Sequence, residues 1–255
     1  MYSLTAATKY DNYQLRLEDN FDTLNDSIWS SNPESRNAEF GFPPYGGNDE
    51  KQCYVDSAIS IVDGYLAISA QTNVLDESCP GKNETSGRLS TFGKVSVGPG
   101  TIVEARIRFP SNEKGTFAAF WLLPNTLERN WPVDGELDIV EYWGTSPNYG
   151  PSNVNSLSGN GERCSVTSDM FMKTPLSDVY NTYTMKYEAE EITFYVNGYE
   201  YAVITKEDAI SRCNNGNWPY DLGTEFFVIL NLASNGLQED TEMYVNWFRI
   251  YDKIE

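Results

Sequence analysis

The chain has 255 residues, 37 of them acidic against 18 basic, for a formal net charge of -19, and it contains no histidine. The electrostatic drive for nonspecific binding to phosphate backbones or anionic lipid has the wrong sign here, so the expected partner is neutral, with no nucleic acid and no membrane. His-based triads and His metal sites are excluded, which leaves carboxylates as the obvious general acids and bases.

The first ten residues, MYSLTAATKY, lack the basic segment and apolar core of a signal peptide. With no low-complexity joint in view, one domain over 1–255 is preferred to two small ones, with residues 1–45 as a loop-rich segment packed on it. The stretch SSNPESRNAEFGFPPYGGNDEKQ (30–52) is dense in Asn, Ser, Gly and Pro, a composition that predicts a long ordered loop suited to walling a site.

Strand signals dominate from about residue 50. SAISIVDGYLAISAQ (57–71) reads as two strands around Asp63-Gly64, and EEITFYVNGYEYAVIT (190–205) as two around Asn197-Gly198; both dipeptides suit the left-handed dihedrals of tight hairpin turns. TIVEARIRF (101–109) alternates Val103, Ala105, Ile107 and Phe109 with Glu104, Arg106 and Arg108, which predicts a strand with one dry and one wet face. FAAFWLL (117–123) and FFVILNLA (226–233) are nearly continuous apolar runs of strand length and read as central strands, too short to span a bilayer. TKEDAI (205–210) predicts a turn or two of helix capped by Thr205. Many strands and little helix predict an all-β sandwich or barrel, and no fixed-period repeat is visible.

The four cysteines, Cys53, Cys79, Cys164 and Cys213, form no C-x-x-C pair, which argues against structural zinc. They allow three pairings, of which the preferred one joins neighbours in sequence, Cys53 with Cys79 and Cys164 with Cys213. Asn25-Asp26-Ser27 and Asn83-Glu84-Thr85 are N-glycosylation acceptors in a secreted chain. Even cysteine number, acidity and these tripeptides together favour secretion, although acidity alone also serves solubility.

The segment GELDIVEYWG (135–144) carries Glu136, Asp138 and Glu141. Strand side chains alternate, so Glu136 and Asp138 share a face and Glu141 joins them only if one residue, around Ile139 or Val140, is bulged out. Three acids on one face cannot all ionise cheaply, so at least one is expected to keep its proton near neutrality. One ionised and one protonated carboxyl is what retaining glycoside hydrolysis needs. A solvated strand face or a calcium site would also use clustered acids. Here the acids alternate with Leu137, Ile139 and Val140 and are flanked by Trp131, Tyr142 and Trp143, whose faces suit the C–H surfaces of sugar rings.

WPVDGELDIVEYWG (131–144) resembles the catalytic strand of glycoside hydrolase family 16, written E-x-D-x-x-E in the branch of laminarinase-type endo-β-1,3-glucanases; the lichenase-type branch lacks the extra residue. NDEKQCY (48–54), SGRLSTFGK (86–94), GTIVEARIRFP (100–110), GTFAAFWLLP (115–124), YTMKYEAEEITFYVNG (183–198), and FFVILNLASNG with MYVNWFRIY near the end are similar to further stretches of that family, in its order, over roughly 45–252. The resemblance implies a β-jelly-roll of two stacked antiparallel sheets with a substrate cleft on the concave face. It implies Glu136 as nucleophile, Glu141 as acid and then base, and Asp138 as the partner that tunes the nucleophile. Trp121, Trp131, Trp143, Asn48 and Arg88 would bind substrate, with core packing the alternative for Trp121 and Trp131.

The implied activity is a secreted, monomeric endo-β-glucanase acting on β-1,3- or mixed β-1,3/1,4-glucan with retention. A transglycosylase or a non-hydrolytic glucan-binding module of the same fold are the alternatives. No cofactor is required. The family's structural calcium would meet Val245-Asn246 where Val-Asp is usual, and its Thr-x-His after the catalytic strand has Ser156-Leu157-Ser158 as the nearest match.

Overall fold

The computed structural model describes residues 10–31, 50–77, 79–111, 114–126, 130–221 and 223–254. Asn48 and most of the loop expected over 30–52 therefore lie outside the described residues.

Two β-sheets pack face to face. The smaller has six strands, β6 (Arg88–Ser90), β8 (Thr116–Pro124), β9 (Glu136–Trp143), β10 (Ser152–Leu157), β11 (Arg163–Ser168) and β15 (Phe226–Ser234), in the order β11-β10-β9-β8-β15-β6. The larger has a backbone of β14 (Tyr199–Thr205), β13 (Glu191–Val196), β12 (Asn181–Tyr187), β7 (Thr101–Arg108), β16 (Thr241–Lys253), β4 (Tyr65–Thr72), β5 (Glu84–Ser86) and β2 (Gln52–Tyr54), in that order. Two further strands join it, β1 (Tyr13–Asp19) on β16 and β3 (Ile59–Val62) on β4. Among the described residues every strand pairing is antiparallel except β2 with β5, so this is the β-jelly-roll sandwich with one parallel contact at an edge.

Period-two alternation explains the layers. Val103, Ala105 and Ile107 of β7, Met185 and Tyr187 of β12, and Phe248 and Ile250 of β16 face Ala118, Phe120 and Leu122 of β8, Leu137 and Tyr142 of β9, and Val228, Leu230 and Leu232 of β15 in one continuous core. Each such Val, Leu, Ile, Phe or Met side chain contributes roughly 1.5–3 kcal/mol by leaving water. The nearly continuous apolar run of β15 has its reason in burial along its entire length. Its inner face meets the core, and its outer residues Phe227 and Ile229 join Leu123, Phe92 and Trp121 in a small cluster on the open side of the sheet.

Both expected hairpins form, with Asp63, Gly64, Asn197 and Gly198 all at positive φ. The helix α1 (Lys206–Arg212) follows its expected cap, Thr205, whose side chain accepts from the Asp208 N–H.

Two expectations needed correction. Tyr13–Asp19, inside the segment read as loop-rich, is a strand antiparallel to β16; the alternation of Tyr13, Leu15 and Leu17 was its signal. Glu104, read as part of a wet face, is fully buried. Its carboxylate accepts from the hydroxyls of Tyr10 (2.7 Å), Tyr251 (3.0 Å) and Thr184 (3.2 Å), with the Arg249 guanidinium 3.9 Å away. The chain just before β1 brings Tyr10 over it, and a buried anion with this many donors is tolerated.

The disulfides pair as preferred, Cys53–Cys79 and Cys164–Cys213. The second ties edge strand β11 to the end of α1 across 49 residues. Loop-closure entropy predicts that Cys164→Ser with Cys213→Ser costs about 4 kcal/mol, lowering Tm by on the order of 10 °C. Calorimetry of the double variant checks this.

Candidate active site

The odd spacing of the acids is resolved by a bulge. Phe120 of β8 pairs with Val140 of β9 and the next residue, Trp121, pairs with Asp138, leaving Ile139 as the extra residue. Ile139 and Val140 both drop into the core, which returns Glu141 to the face of Glu136 and Asp138. The Ser152 hydroxyl donates to the Ile139 carbonyl (2.6 Å) and the Glu141 N–H to the Pro151 carbonyl (3.0 Å), so the interrupted ladder keeps partners. The strand begins after Gly135, at φ +87°, where a Cβ would sit 2.8 Å from Pro219 and 2.9 Å from the Tyr220 ring; only glycine fits there. The Tyr220 hydroxyl accepts from the Glu136 N–H (3.2 Å) and faces the carbonyls of Glu136 and Asn155.

Around the acids stands a set of fixed donors. Asn155 of β10 donates its amide to Glu136 Oε1 (3.1 Å) and Asp138 Oδ2 (2.8 Å), and Asn153 donates to Glu141 Oε2 (2.5 Å). The carbonyl ends of these amides are held by hydroxyls of β11, Ser165 on Asn155 and Thr167 on Asn153 (2.6 Å). With each carbonyl engaged, each NH2 is turned to an acid. The Trp131 indole N–H donates to Glu136 Oε2 (3.0 Å), and the Arg163 guanidinium lies 5.7 Å from the Trp131 ring centroid.

Burial is the main cause of the shifted pKa values. It pushes Glu136 up to about 7, with the Glu141 charge adding to the rise while the Trp131 N–H and Arg163 oppose it. Glu141 is also pushed up to about 7 by burial, opposed by Asn153 and Arg163. Asp138, buried and beside both glutamates, is held well above the usual carboxylate range. Near neutrality the three acids share protons, so one can donate while another is an anion, the requirement of general acid and nucleophilic chemistry.

The other expected residues fall as follows. Trp121 lies on the open face, half-buried, its indole N–H donating to Asn231 Oδ1 (2.7 Å); its contacts are with the open-face cluster and not the inter-sheet core. The Asn231 amide in turn donates to the Tyr54 hydroxyl (2.9 Å). Arg88 pairs with Asn231 across β6 and β15 and stacks over the Tyr54 ring at 4.6 Å. Trp131 is 49% exposed beside Glu136. Trp143 shares the acids' face and stacks on Phe117 (4.9 Å). Tyr142, expected beside the acids, instead faces the core against Phe109 (4.8 Å).

The reading of Ser156-Leu157-Ser158 as the match to Thr-x-His is also corrected by register. Asn155 pairs with Glu136 and Asn153 with Asp138, so Asn153-Val154-Asn155 lies against the acids, while Ser156 is buried near Cys213 Sγ. Asn153, Asn155, Ser165, Thr167, Tyr220, Tyr54 and Asn231 were not anticipated. Polar residues at period two in SNVNSL and RCSVTS, just after the acidic strand, were the available signal for the first four. The resemblance would place the calcium ligand at Asn246. Asn246 is the extra residue of a bulge in β16, and among the described residues no three His, Cys, Asp or Glu side chains cluster for a metal.

The raised pKa values carry a stability consequence. Glu136 titrates in the folded chain near 7 instead of the usual 4.5, so between those values the folded state binds more protons than the unfolded one. Stability then falls as pH rises through this window and is fully kept below it. Glu136→Gln removes the ion that burial disfavours. It should raise Tm at pH 8 by at least about 2–4 °C, the shift for roughly 1 kcal/mol, and the gain should vanish by pH 4.5. Scanning calorimetry at both pH values checks the sign.

Known proteins match this architecture along nearly its whole length. The model of Glycosyl hydrolases family 16 matches residues 49–249. A β-glucanase of Rhodothermus marinus is 28% identical over 273 aligned positions, covering 100% of this chain and 91% of the relative. A glucan endo-1,3-beta-glucosidase of Cryptopygus antarcticus is 30% identical over 74% of this chain and 71% of its own length. The X-ray structure of an endo-beta-1,3-glucanase from Pyrococcus furiosus superposes with a TM-score of 0.82 at 28% identity, covering 95% of both chains. The family model spans both sheets and the whole carboxylate strand, and the chain belongs to glycosyl hydrolases family 16.

Proposed function

We propose that this glycoside hydrolase is an endo-acting β-glucanase that cleaves β-1,3 or mixed β-1,3/1,4 bonds with retention of configuration, outside the cell. The observation that carries the reading is the bulged strand that gathers Glu136, Asp138 and Glu141 on one open face with pKa values raised by burial. The names of the relatives support the substrate class, and two disulfides suit an oxidising compartment.

In this reading the protonated Glu141 gives its proton to the leaving glycosidic oxygen while the Glu136 carboxylate bonds to the anomeric carbon. Water, deprotonated by Glu141, then attacks that carbon and frees Glu136. Trp131 and Asn155 hold the Glu136 carboxylate by one oxygen each, which limits its rotation before attack. Asp138 is the neighbour kept protonated, so that Glu136 can ionise. A non-hydrolytic binding module would have no use for this proton sharing, and all three carboxyls are retained. No calcium or other cofactor enters the scheme.

The decisive experiment incubates the protein with laminarin, mixed-linkage β-glucan, agarose and carrageenan and follows reducing ends, product sizes and the anomer first released. Short oligosaccharides from laminarin or mixed-linkage glucan, released as the β-anomer, are expected; release of the α-anomer would overturn retention. Glu136→Gln and Glu141→Gln should each lower kcat at least about 100-fold. The pH–rate profile should be bell-shaped, its limbs on either side of about 7 where both glutamates titrate.

A further inference from the structure

The outer face of the larger sheet, on the far side of the core from the acids, carries a cluster of its own. Ala105, Ile107 and Phe109 enter the core, so Arg106 and Arg108 of β7 point outward. By the same alternation Met243 and Val245 turn Tyr244 of β16 outward, and Leu66 turns Tyr65 of β4 outward. Register places Tyr244 between Arg108 of β7 and Ala67 of β4. Tyr180, just before β12, completes the group. Its ring stacks on Tyr65 with centroids 5.5 Å and planes 25° apart. Both guanidiniums sit over it, Arg108 at 5.4 Å and Arg106 at 5.7 Å from the ring centroid, and Arg108 is also 4.8 Å from that of Tyr244.

These two arginines differ from others of the chain in their partners. Arg16, Arg212 and Arg249 each hold a carboxylate, at 3.2, 3.1 and 2.6 Å. Among the described residues no carboxylate pairs with Arg106 or Arg108, although the chain has 37 acids against 18 basic residues. Glu242, two residues along β16 from Tyr244, accepts from the Tyr244 hydroxyl instead. Two cations about 7 Å apart along one strand repel each other, and the rings beneath them offset that only in part. Arg106 is exposed, and Arg108 and the three tyrosines are half-buried, so guanidinium donors and ring surface both meet solvent. A guanidinium fork matches a carboxylate or sulfate, and a tyrosine ring takes the C–H face of a sugar. Together they fit a sugar that bears an anionic group. A nucleic acid, with one charge per about 1.7 Å of duplex axis, meets far more repulsion from a chain of net charge -19. That repulsion is screened beyond about 8 Å at physiological salt, so the local cations decide the contact of a more sparsely charged glycan.

We infer that Arg106, Arg108, Tyr65, Tyr180 and Tyr244 form a second glycan site, on the sheet face opposite the acids, which takes a polysaccharide bearing carboxylate or sulfate groups. The whole sandwich, its sheets about 10 Å apart, separates this site from Glu136 and Glu141. A chain held here is therefore bound and not cleaved. The site attaches the protein to anionic polysaccharide while the acids on the opposite face stay open to a different chain.

Titration calorimetry tests this with oligogalacturonate as the carboxylated probe and a κ-carrageenan oligosaccharide as the sulfated one. Fully methyl-esterified oligogalacturonate and laminarihexaose are the neutral probes, and oligoglutamate is the acidic peptide. The intact protein should bind at least one anionic oligosaccharide, more weakly as NaCl rises from about 50 to about 500 mM, and excess laminarihexaose should not displace it. Arg106→Gln combined with Arg108→Gln should raise its Kd at least about 10-fold, the worth of one charge-assisted hydrogen bond, without changing the release of reducing ends from laminarin. Tyr180→Ala should raise the Kd by about 3- to 10-fold, the worth of one aromatic contact. Arg16→Gln, which removes a guanidinium already paired with Asp252, should match the parent. No binding of either anionic oligosaccharide, an unchanged Kd in the double arginine variant, equal binding of the methyl ester, or displacement by laminarihexaose would each overturn the site. Oligoglutamate bound as tightly as the glycans, and lost with the same two arginines, would overturn the glycan in favour of an acidic peptide.

Discussion

The carboxyl groups of Glu136, Asp138 and Glu141 crowd a largely desolvated sheet face, and much of the surrounding structure answers to that crowding. Three anions there would repel one another and lose hydration, so the fold supplies protons and fixed donors in place of water. The donors are amides and an indole, Asn153, Asn155 and Trp131, none of which titrates near neutrality. Behind the amides stand Ser165 and Thr167 on an edge strand, and behind that strand the Cys164–Cys213 link. A cluster that opposes folding is kept in place by layers that favour it. The inter-sheet core is the largest of these, with Leu137, Ile139, Val140 and Tyr142 of the same strand anchored in it.

The bulge is the point at which core and chemistry meet. A regular β9 would send Glu141 into the space of Val140, where an acid has no partner. With Ile139 as an extra residue, two adjacent apolar side chains enter the core and the alternation restarts in the right phase. Ser152 and Pro151 take up the backbone groups released by the interruption, and Tyr220 fixes the entry of the strand against Gly135. The geometry of the acids is thus set by backbone register and held by packing, which is firmer than placement on a free loop.

What could be read from the sequence follows from which features are local. The hairpins at Asp63-Gly64 and Asn197-Gly198, the Thr205 cap and the central strands depend on neighbouring residues, so their patterns were visible. The bulge was legible because an acid at the wrong phase is conspicuous. The family likeness supplied the roles of the acids, which no pattern alone could assign. Contacts made across strands were harder to see. Asn153 and Asn155 meet the acids only through the β9–β10 register, and a motif sought three residues downstream missed them. Glu104 was misread because its cover, Tyr10, comes from 94 residues away. Tyr142 was misread because the same bulge that exposes Glu141 sends its neighbour inward.

The basic residues of the open face are placed against aromatic rings. Arg88 stacks on Tyr54, and Arg163 reaches Trp131. The Arg163 charge opposes the rise in the pKa values of both glutamates. In the proposed reaction, a lysine or arginine bonded to Glu136 would favour its anion but weaken it as a nucleophile, and one bonded to Glu141 would strip the proton that the leaving group needs. Amides and an indole orient the carboxyls without fixing their charge, and that freedom to exchange a proton is what the proposed acid, which must become a base, requires.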